Sequence, residues 1–391
     1  MTQCAPGSRR IILVVACYAM AAGCTMMLGA ASCLSVIAAD LGMETDLYKG
    51  LFLSSPMWSS ALAGICSGWL VDRLGYRVQM MISSLVQAVG MVVIAVATEP
   101  LHALAGGTIT GLGRGMVSAP MTALVCDLYS ENRARVAGIH HSSWYIGVVL
   151  ILLVVLLSFE LEAGWRSLFG LFAVLILLYA PAGLLKSLPG RRAVRAERLG
   201  DRVPLSTVVR QARFRLLAVG LLFAGITEVT VAHWLPYYIE IGIGGSRSLG
   251  TAGLMAFALV MIAGRLSMPL AVRRFGLRAI VLVAGTVCLI SAPLAAWHEH
   301  PFAVVAWLCT TGFAVSGIYP SVNAHAGDRF PTAGSSMYAT LNSVALIGAL
   351  SGPIAFGMAA DYVGLRWAVA ATAVAPLVWM SSLTLGVRSN R

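Results

Sequence analysis

Arg114, Glu228 and Arg265 stand where charge is costly. Each interrupts a stretch otherwise free of Asp, Glu, Lys and Arg: Pro100 to Cys126, Leu216 to Ile239 and Ser248 to Val272. A carboxyl far from water must face a cavity, carry a partner or be protonated, because desolvation favours its neutral form. Glu228 is thereby suited to take up and release a proton; a glutamate hydrogen-bonded between helices without carrying protons fits the same pattern. Arg114 lies within Gly107-x-x-x-Gly111-x-x-x-Gly115, a small-residue stripe that lets helices approach closely. It reads either as a functional cation or as a buried lock satisfied by carbonyl groups. Arg265, closer to the end of its stretch, is able to extend its head to the surface and is given no functional part.

Uncharged polar groups form a second set. Tyr319, Asn323 and His325 lie on one apolar stretch, Tyr338 and Asn342 on the next, and His140, His141, Trp144 and Tyr145 cluster on an earlier one. Aromatic and amide groups around a cavity suit sugars or other small polar solutes through stacking and hydrogen bonds. Polar side chains also join helices to each other. Metal chemistry is not expected: His298-Glu299-His300 is not the H-E-x-x-H spacing and reads as a solvated turn. The eight cysteines lack paired ligand spacing and read as small packing residues. No nucleophile-base set appears, so an enzyme is not expected, and no cofactor is implied.

The stretches that carry these residues are membrane spans. The chain of 391 residues is 59% hydrophobic and 11% charged, against about 25% charged for a soluble protein. Crossing hydrocarbon takes roughly 20 apolar residues. Nine charge-free runs reach that length: 11–39, 50–71, 78–98, 136–159, 167–185, 279–298, 300–327, 330–360 and 367–387. The three stretches with one buried charge bring the total to twelve. Twenty-one of the 27 Lys and Arg fall on one side of this layout, four on the other and two within spans. Basic residues are retained on the cytoplasmic side, so both termini are expected inside, and the net charge of +11 points to an anionic inner leaflet rather than to nucleic acid. Ser8-Arg9-Arg10 resembles a twin-arginine export signal and Ala30-Ala31-Ser32-Cys33 a lipoprotein site, but eleven further spans favour an uncleaved first helix.

A basic, proline-punctuated segment separates six spans from six, giving an N-terminal bundle over 1–186, a cytoplasmic linker over 187–213 and a C-terminal bundle over 214–391. The halves repeat at an offset of 201: Arg73-Leu-Gly75-Tyr-Arg77 recurs as Arg274-Phe-Gly276-Leu-Arg278, Gly111 as Gly312 and Asp127 as Asp328. Gly64 and Gly68 share one helix face and are read as a close contact, and Gly75 as a tight turn. Pro236 is expected to weaken the seventh span.

Gly68-Trp-Leu-Val-Asp72-Arg73-Leu-Gly75-Tyr-Arg77 matches G-x-x-x-D-R-x-G-x-R, the loop signature between the second and third helices of the major facilitator superfamily, and the chain resembles that family throughout. The resemblance implies an all-α polytopic membrane fold of twelve helices in two pseudo-symmetric six-helix bundles, with helices 1, 4, 7 and 10 lining a central cavity. It implies that Asp72 faces the start of the eleventh helix near Gly334, where a carboxylate is favoured, and that Arg77 meets Asp127 in a gating network. The second copy has Pro269 and Arg273 at the first Gly and Asp positions, so only the first carries the full signature.

Arg114 resembles the family's arginine in this helix, linked to proton movement or substrate charge. It lies roughly 18 Å from one membrane face and Glu228 roughly 21 Å from the other, which puts both near one level. The function expected is a secondary active transporter working by alternating access in a bacterial inner membrane, a monomer taking up a small polar solute with protons. Antiporters of the family carry a Gly-Pro-rich fifth helix, whereas 137–159 contains no proline. Glu228, Trp234-Leu-Pro236, Gly317-Ile-Tyr-Pro320 and Gly327-Asp328-Arg-Phe-Pro331 are similar to the fucose-permease-like branch. Proton-driven export of a drug or metabolite is the alternative, and a transporter-like sensor a further one.

Overall fold

The computed structural model of the chain describes residues 6–129, 133–185, 188, 209–330 and 334–387. The side chains of Asp127 and Tyr338 lie outside the described set, as does most of the linker expected over 187–213.

Every regular element among the described residues is helical. The first span comes in three pieces, Pro6–Ala22, Thr25–Ser32 and Leu34–Leu41. The second and third form one long element, Asp46–Ala95. Pro100–Leu128 is the fourth, Arg133–Glu160 the fifth, and Trp165–Leu177 with a 3-10 turn over Ala180–Leu184 the sixth. In the second half the seventh is Ala212–Tyr237, the eighth Arg247–Phe275 and the ninth Leu277–Trp297. The tenth is split into Pro301–Ser316 and Ile318–Arg329, the eleventh is Gly334–Val363, and the twelfth is Leu365–Ala371 with Val374–Gly386. Ten described segments are long and apolar enough to cross a bilayer. One of them, Asp46–Ala95, holds two spans, and Pro100–Leu128 supplies the twelfth. Large apolar side chains face outward, with Ile65 78% and Leu266 73% exposed. Water would penalise such a surface; hydrocarbon does not.

The division of Asp46–Ala95 falls at Gly75, whose φ of 77° and ψ of 163° are open to glycine alone. Gly276, its partner in the repeat, has φ 80° and ψ 149° between the eighth and ninth spans. The duplication thus extends from residue type to backbone conformation. It also governs two arginines that the offset of 201 does not align. Arg166 at the start of the sixth span donates from Nη2 to the Ala97 carbonyl at 2.8 Å. Arg366 at the start of the twelfth donates from Nη2 to the Trp297 carbonyl at 2.9 Å. Each also meets a carboxylate, Asp40 for Arg166 and Glu299 for Arg366. Asp40 also accepts from Trp165 Nε1 at 3.0 Å. The pair involving Glu299 places His298-Glu299-His300 in an exposed hairpin.

The chain packs as two compact units, Met1–Met43 with Ser55–Leu199, and Glu44–Ser54 with Gly200–Arg391. In the first, the fourth span is gripped from two sides. A Cβ at Gly107, Gly111 or Gly115 would strike Ser55, Pro56 or Ser60 of the second span, and one at Gly106 or Gly113 would strike Ile94 or Gln87 of the third. Gly64 has nothing within 4 Å of such a Cβ, so the contact read there from Gly64 and Gly68 is not met at Gly64. In the second unit the seventh span packs most extensively on the eleventh. Gly225 lies against the Ala345 carbonyl, Gly348 against that of Leu222, and Trp234 Nε1 donates to the Pro353 carbonyl at 3.2 Å. Pro236 lies inside the α-helix, which runs on to Tyr237 and is followed by a π-helical turn over Tyr238–Gly242. Its ring lacks the N–H that the preceding turn needs.

Candidate functional site

In the second unit Arg265 Nη2 donates to Glu228 Oε1 at 2.8 Å. This corrects the sequence reading, which sent Arg265 to the surface. Measured from the turn joining the seventh and eighth spans, Glu228 lies about 21 Å deep and Arg265 about 27 Å. Side chains lean toward the N-terminus of their own helix. The two helices run in opposite directions, so Glu228 leans deeper and Arg265 leans back, and they converge. Both remain accessible, 25% for the glutamate side chain and 29% for the arginine, so the pair borders space rather than solid core.

The tenth span brings polar groups to this pair. Its helix breaks at Gly317, and Ile318 begins a new one. Pro320 then falls in a first turn, where a missing N–H leaves no hydrogen bond broken. Tyr319 donates its hydroxyl to Asn342 Oδ1 on the eleventh span, and the same phenol lies within electrostatic reach of both Glu228 and Arg265. Asn323 Nδ2 donates to the Tyr319 carbonyl at 3.0 Å. Its Oδ1 is buried and has no hydrogen-bond partner among the described residues. Four spans, the seventh, eighth, tenth and eleventh, therefore contribute to one polar cluster. His325 is not in it: its charged neighbours are Asp328, Arg329 and Arg213 near the helix end.

Arg114 belongs to the first unit. Its guanidinium lies over the Trp144 ring at 4.5 Å, and Nη1 is 2.9 Å from Met27 Sδ. The first span breaks beside it, between Pro6–Ala22 and Thr25–Ser32. At that break a Cβ on Gly23 would sit 3.5 Å from the Trp144 ring. Arg114 lines a small recess together with Met20, Val117, Ser118, Met121 and His140. His140 is 1% exposed and Tyr145 half-buried. No carboxylate meets Arg114 among the described residues. A cation over an aromatic face gains about 0.5 to 2 kcal/mol, less than the several kcal/mol needed to desolvate an ion.

The loop signature is built as a clasp. Gly68 is half-buried on the second span, Asp72 is half-buried with Oδ1 shielded from solvent, and Arg73 stacks on Trp69 at 4.1 Å. Arg77 Nε donates to the Leu188 carbonyl at 2.8 Å. The Arg77 to Asp127 contact implied by the resemblance falls on a side chain outside the described set. Gln79 was not singled out by the sequence. It is 2% exposed, and its amide donates to the Ser67 carbonyl at 3.2 Å and to that of Met116, spanning the bend at Gly75. A second unanticipated network joins the third, fourth and sixth spans. Ser83 Oγ donates to the Gly113 carbonyl at 2.8 Å and lies 3.1 Å from the Tyr179 hydroxyl, which also accepts from Gln87. Such residues look like generic polar glue in sequence.

Two helical units, a cation-lined recess in one and a membrane ion pair in the other define a polytopic protein with charge inside the bilayer. The sequence matches the Major Facilitator Superfamily over residues 13–297 and 266–390, and the chain belongs to that family of membrane transporters. It is similar to an uncharacterized MFS-type transporter, YcaD, of Salmonella enteritidis, 25% identical over 213 residues, 51% of this chain and 56% of the relative. It is similar to the arabinose-proton symporter of Escherichia coli (strain K12), 26% identical over 174 residues, 43% and 36% of the two chains. An Acurin A biosynthesis cluster MFS-type transporter of Aspergillus aculeatus is 34% identical over 118 residues, 30% and 21%. The chain thus matches little more than half the length of these curated relatives, or less. Among solved structures, the nucleoside transporter NupG has a TM-score of 0.78 at 14% identity, covering 97% of this chain and 99% of that one. A bacterial homolog of the human lysosomal transporter Spinster has 0.79 at 16%, covering 98% and 97%. These likenesses establish the twelve-helix fold.

Proposed function

We propose that the protein is a secondary active transporter that takes up a small polar solute, a sugar or a small organic acid, by alternating access and with protons. The observation that carries this reading is the Glu228–Arg265 pair, partly open and reached by Tyr319 of a broken helix. Ionised Glu228 holds Arg265; protonated Glu228 releases it. A proton and a conformational or solute-binding event are then linked through one contact. Proton coupling is further supported by similarity to an arabinose-proton symporter, and uptake by the absence of proline from 137–159.

The solute is assigned to Arg114, Trp144 and Tyr145 of the first unit and to Tyr319, Asn323, Tyr338 and Asn342 of the second. His325, placed among charges near a helix end, is the least supported of the residues named for it. Gly68, Asp72, Arg73, Gly75, Arg77 and Asp127 form the gate. The orientation has both termini in the cytoplasm of a bacterial inner membrane, and the working unit is a monomer.

The test is transport in proteoliposomes, using a solute first identified through its thermal stabilisation of the purified protein. Glu228→Gln is expected to abolish accumulation driven by a pH gradient and to keep equilibrium exchange. Accumulation against a concentration gradient by Glu228→Gln in response to pH removes the proton role from Glu228.

A further inference from the structure

Three positions of the repeat are exposed in both halves but differ in residue type. At the offset of 201, Val96, Leu101 and Leu161 correspond to Trp297, Phe302 and Tyr362. All six side chains face outward, Leu161 by 70% and Tyr362 by 87%. Aliphatic groups of one half are thus replaced by aromatic rings in the other. Trp367 adds a fourth exposed ring to the second half. The four stand at span ends: Trp297 closes Leu277–Trp297, Phe302 opens Pro301–Ser316, Tyr362 lies at the end of Gly334–Val363 and Trp367 at the start of Leu365–Ala371. The 21 residues of the ninth span rise about 31 Å, close to the hydrocarbon thickness of a bilayer. Its last residue therefore reaches the headgroup boundary. Indole and phenol are favoured there, because each joins an apolar body to a polar tip; valine and leucine are not.

Charge completes this surface. Arg366 donates to the Ala296 carbonyl at 2.7 Å and to that of Trp297 at 2.9 Å, which brings the turn before the tenth span against the start of the twelfth. Its Nη1 lies 3.5 Å from Glu299 Oε1, and both side chains stay exposed, the glutamate by 86%. A cation and an anion therefore lie side by side among the rings, with bonding capacity left on each. In the first half the matching carboxylate is already engaged: Asp40 is held by Arg166 and by Trp165 Nε1. A phosphate is the natural partner of a guanidinium, and an ammonium group that of a carboxylate beside aromatic faces. A zwitterionic phospholipid headgroup carries both.

We propose that Trp297, Phe302, Tyr362 and Trp367, set around the Arg366–Glu299 pair, form a docking surface for zwitterionic phospholipid headgroups and anchor the second unit at one membrane face. Arg366 takes the phosphate, and Glu299 with the ring faces takes the ammonium. A headgroup with a phosphate and no ammonium would leave Glu299 opposed by like charge. The proposal is independent of which solute the protein carries and in which direction.

The experiment uses the full chain, carrying fluorotryptophan, in nanodiscs of mixed phosphatidylcholine and phosphatidylglycerol. The fluorine resonances of Trp297 and Trp367 are assigned with Trp297→Phe and Trp367→Phe. A lipid spin-labelled near its headgroup is expected to broaden both resonances more than one labelled at the chain end. With labels at equal depth, phosphatidylcholine is expected to broaden them more than phosphatidylglycerol. Glu299→Gln, at an exposed position that leaves the fold intact, is expected to lower this preference about 2- to 5-fold, the range of one exposed cation contact. Trp297→Val, Phe302→Leu and Tyr362→Leu together install the residues of the first half and are expected to remove the preference from the Trp367 resonance. Equal broadening at the two label depths, no preference between the two lipids, or a preference unchanged in Glu299→Gln overturns the proposal. Protection of both resonances from every labelled lipid, with a dimer in light scattering, would assign this face to contact between copies of the chain and overturn it equally.

Discussion

Glu228 and Arg265 pair at 2.8 Å, so removing one takes this partner from the other. Breaking a fully buried pair costs about 3 to 5 kcal/mol, and this partly open pair less, whereas replacing both members is often close to neutral. Glu228→Gln and Arg265→Gln are therefore each expected to lower the melting temperature in detergent, and the double substitution to recover most of the loss. Simple additivity of the two effects would show that the pair contributes no mutual stabilisation. The double variant also protects the transport test, since it separates loss of coupling from loss of fold. Residue types at this site were legible in the sequence because any ionisable group inside a span stands out. The pairing was not, since it depends on which faces of two helices meet. The lean of side chains toward each helix N-terminus was the available signal, and it brings together two residues 37 positions apart.

At the scale of elements, glycine decides where helices end and how closely they pack. Gly75 and Gly276 hold φ of 77° and 80° with extended ψ, and a non-glycine residue there costs about 1 to 3 kcal/mol. Gly111 has ordinary helical geometry but lies against the Pro56 backbone, where a methyl group overpacks at about 1 to 3 kcal/mol. Gly64 lies in open space. Thermal unfolding should accordingly rank Gly75→Ala, Gly276→Ala and Gly111→Ala as destabilising and Gly64→Ala within about 0.5 kcal/mol of wild type. A destabilised Gly64→Ala would mean that this face has a partner after all.

The span count and the turn at Gly75 were readable, the first from uncharged runs and the second from the repeated Arg-x-Gly-x-Arg pattern. The breaks at Gly23 and Gly317 were not, because a single glycine in an apolar run is compatible with an unbroken helix. The matching arginines Arg166 and Arg366 escaped because they stand 200 residues apart, one short of the repeat found elsewhere.

The whole molecule is divided along a line that cuts through the second span. Glu44–Ser54 counts with the second unit and Ser55 onward with the first. The first turn of this span is capped from the eleventh: the Asp361 carboxylate accepts from the Asp46 and Leu47 N–H groups at 2.6 and 2.9 Å. Lys49, paired with Asp46, adds a cation over the Tyr237 ring at 5.0 Å. Carboxylates are favoured at a helix start, and losing such a cap costs about 0.5 to 2 kcal/mol. The opposite end of the same span carries Asp72, assigned above to the cytoplasmic gate.

Asp361→Ala is therefore expected to raise hydrogen exchange at the amides of 46–54 by about 2- to 30-fold, the range equivalent to the lost cap, with no rise at 72–77. Asp72→Asn is expected to raise exchange at 72–77, to leave 46–54 protected and to slow transport. Mass spectrometry of peptides from the two ends reads both changes in one experiment. Loss of protection at both ends from either single substitution would mean general loosening of the helix, and the separate anchoring of its two ends by Asp361 and Asp72 would fall.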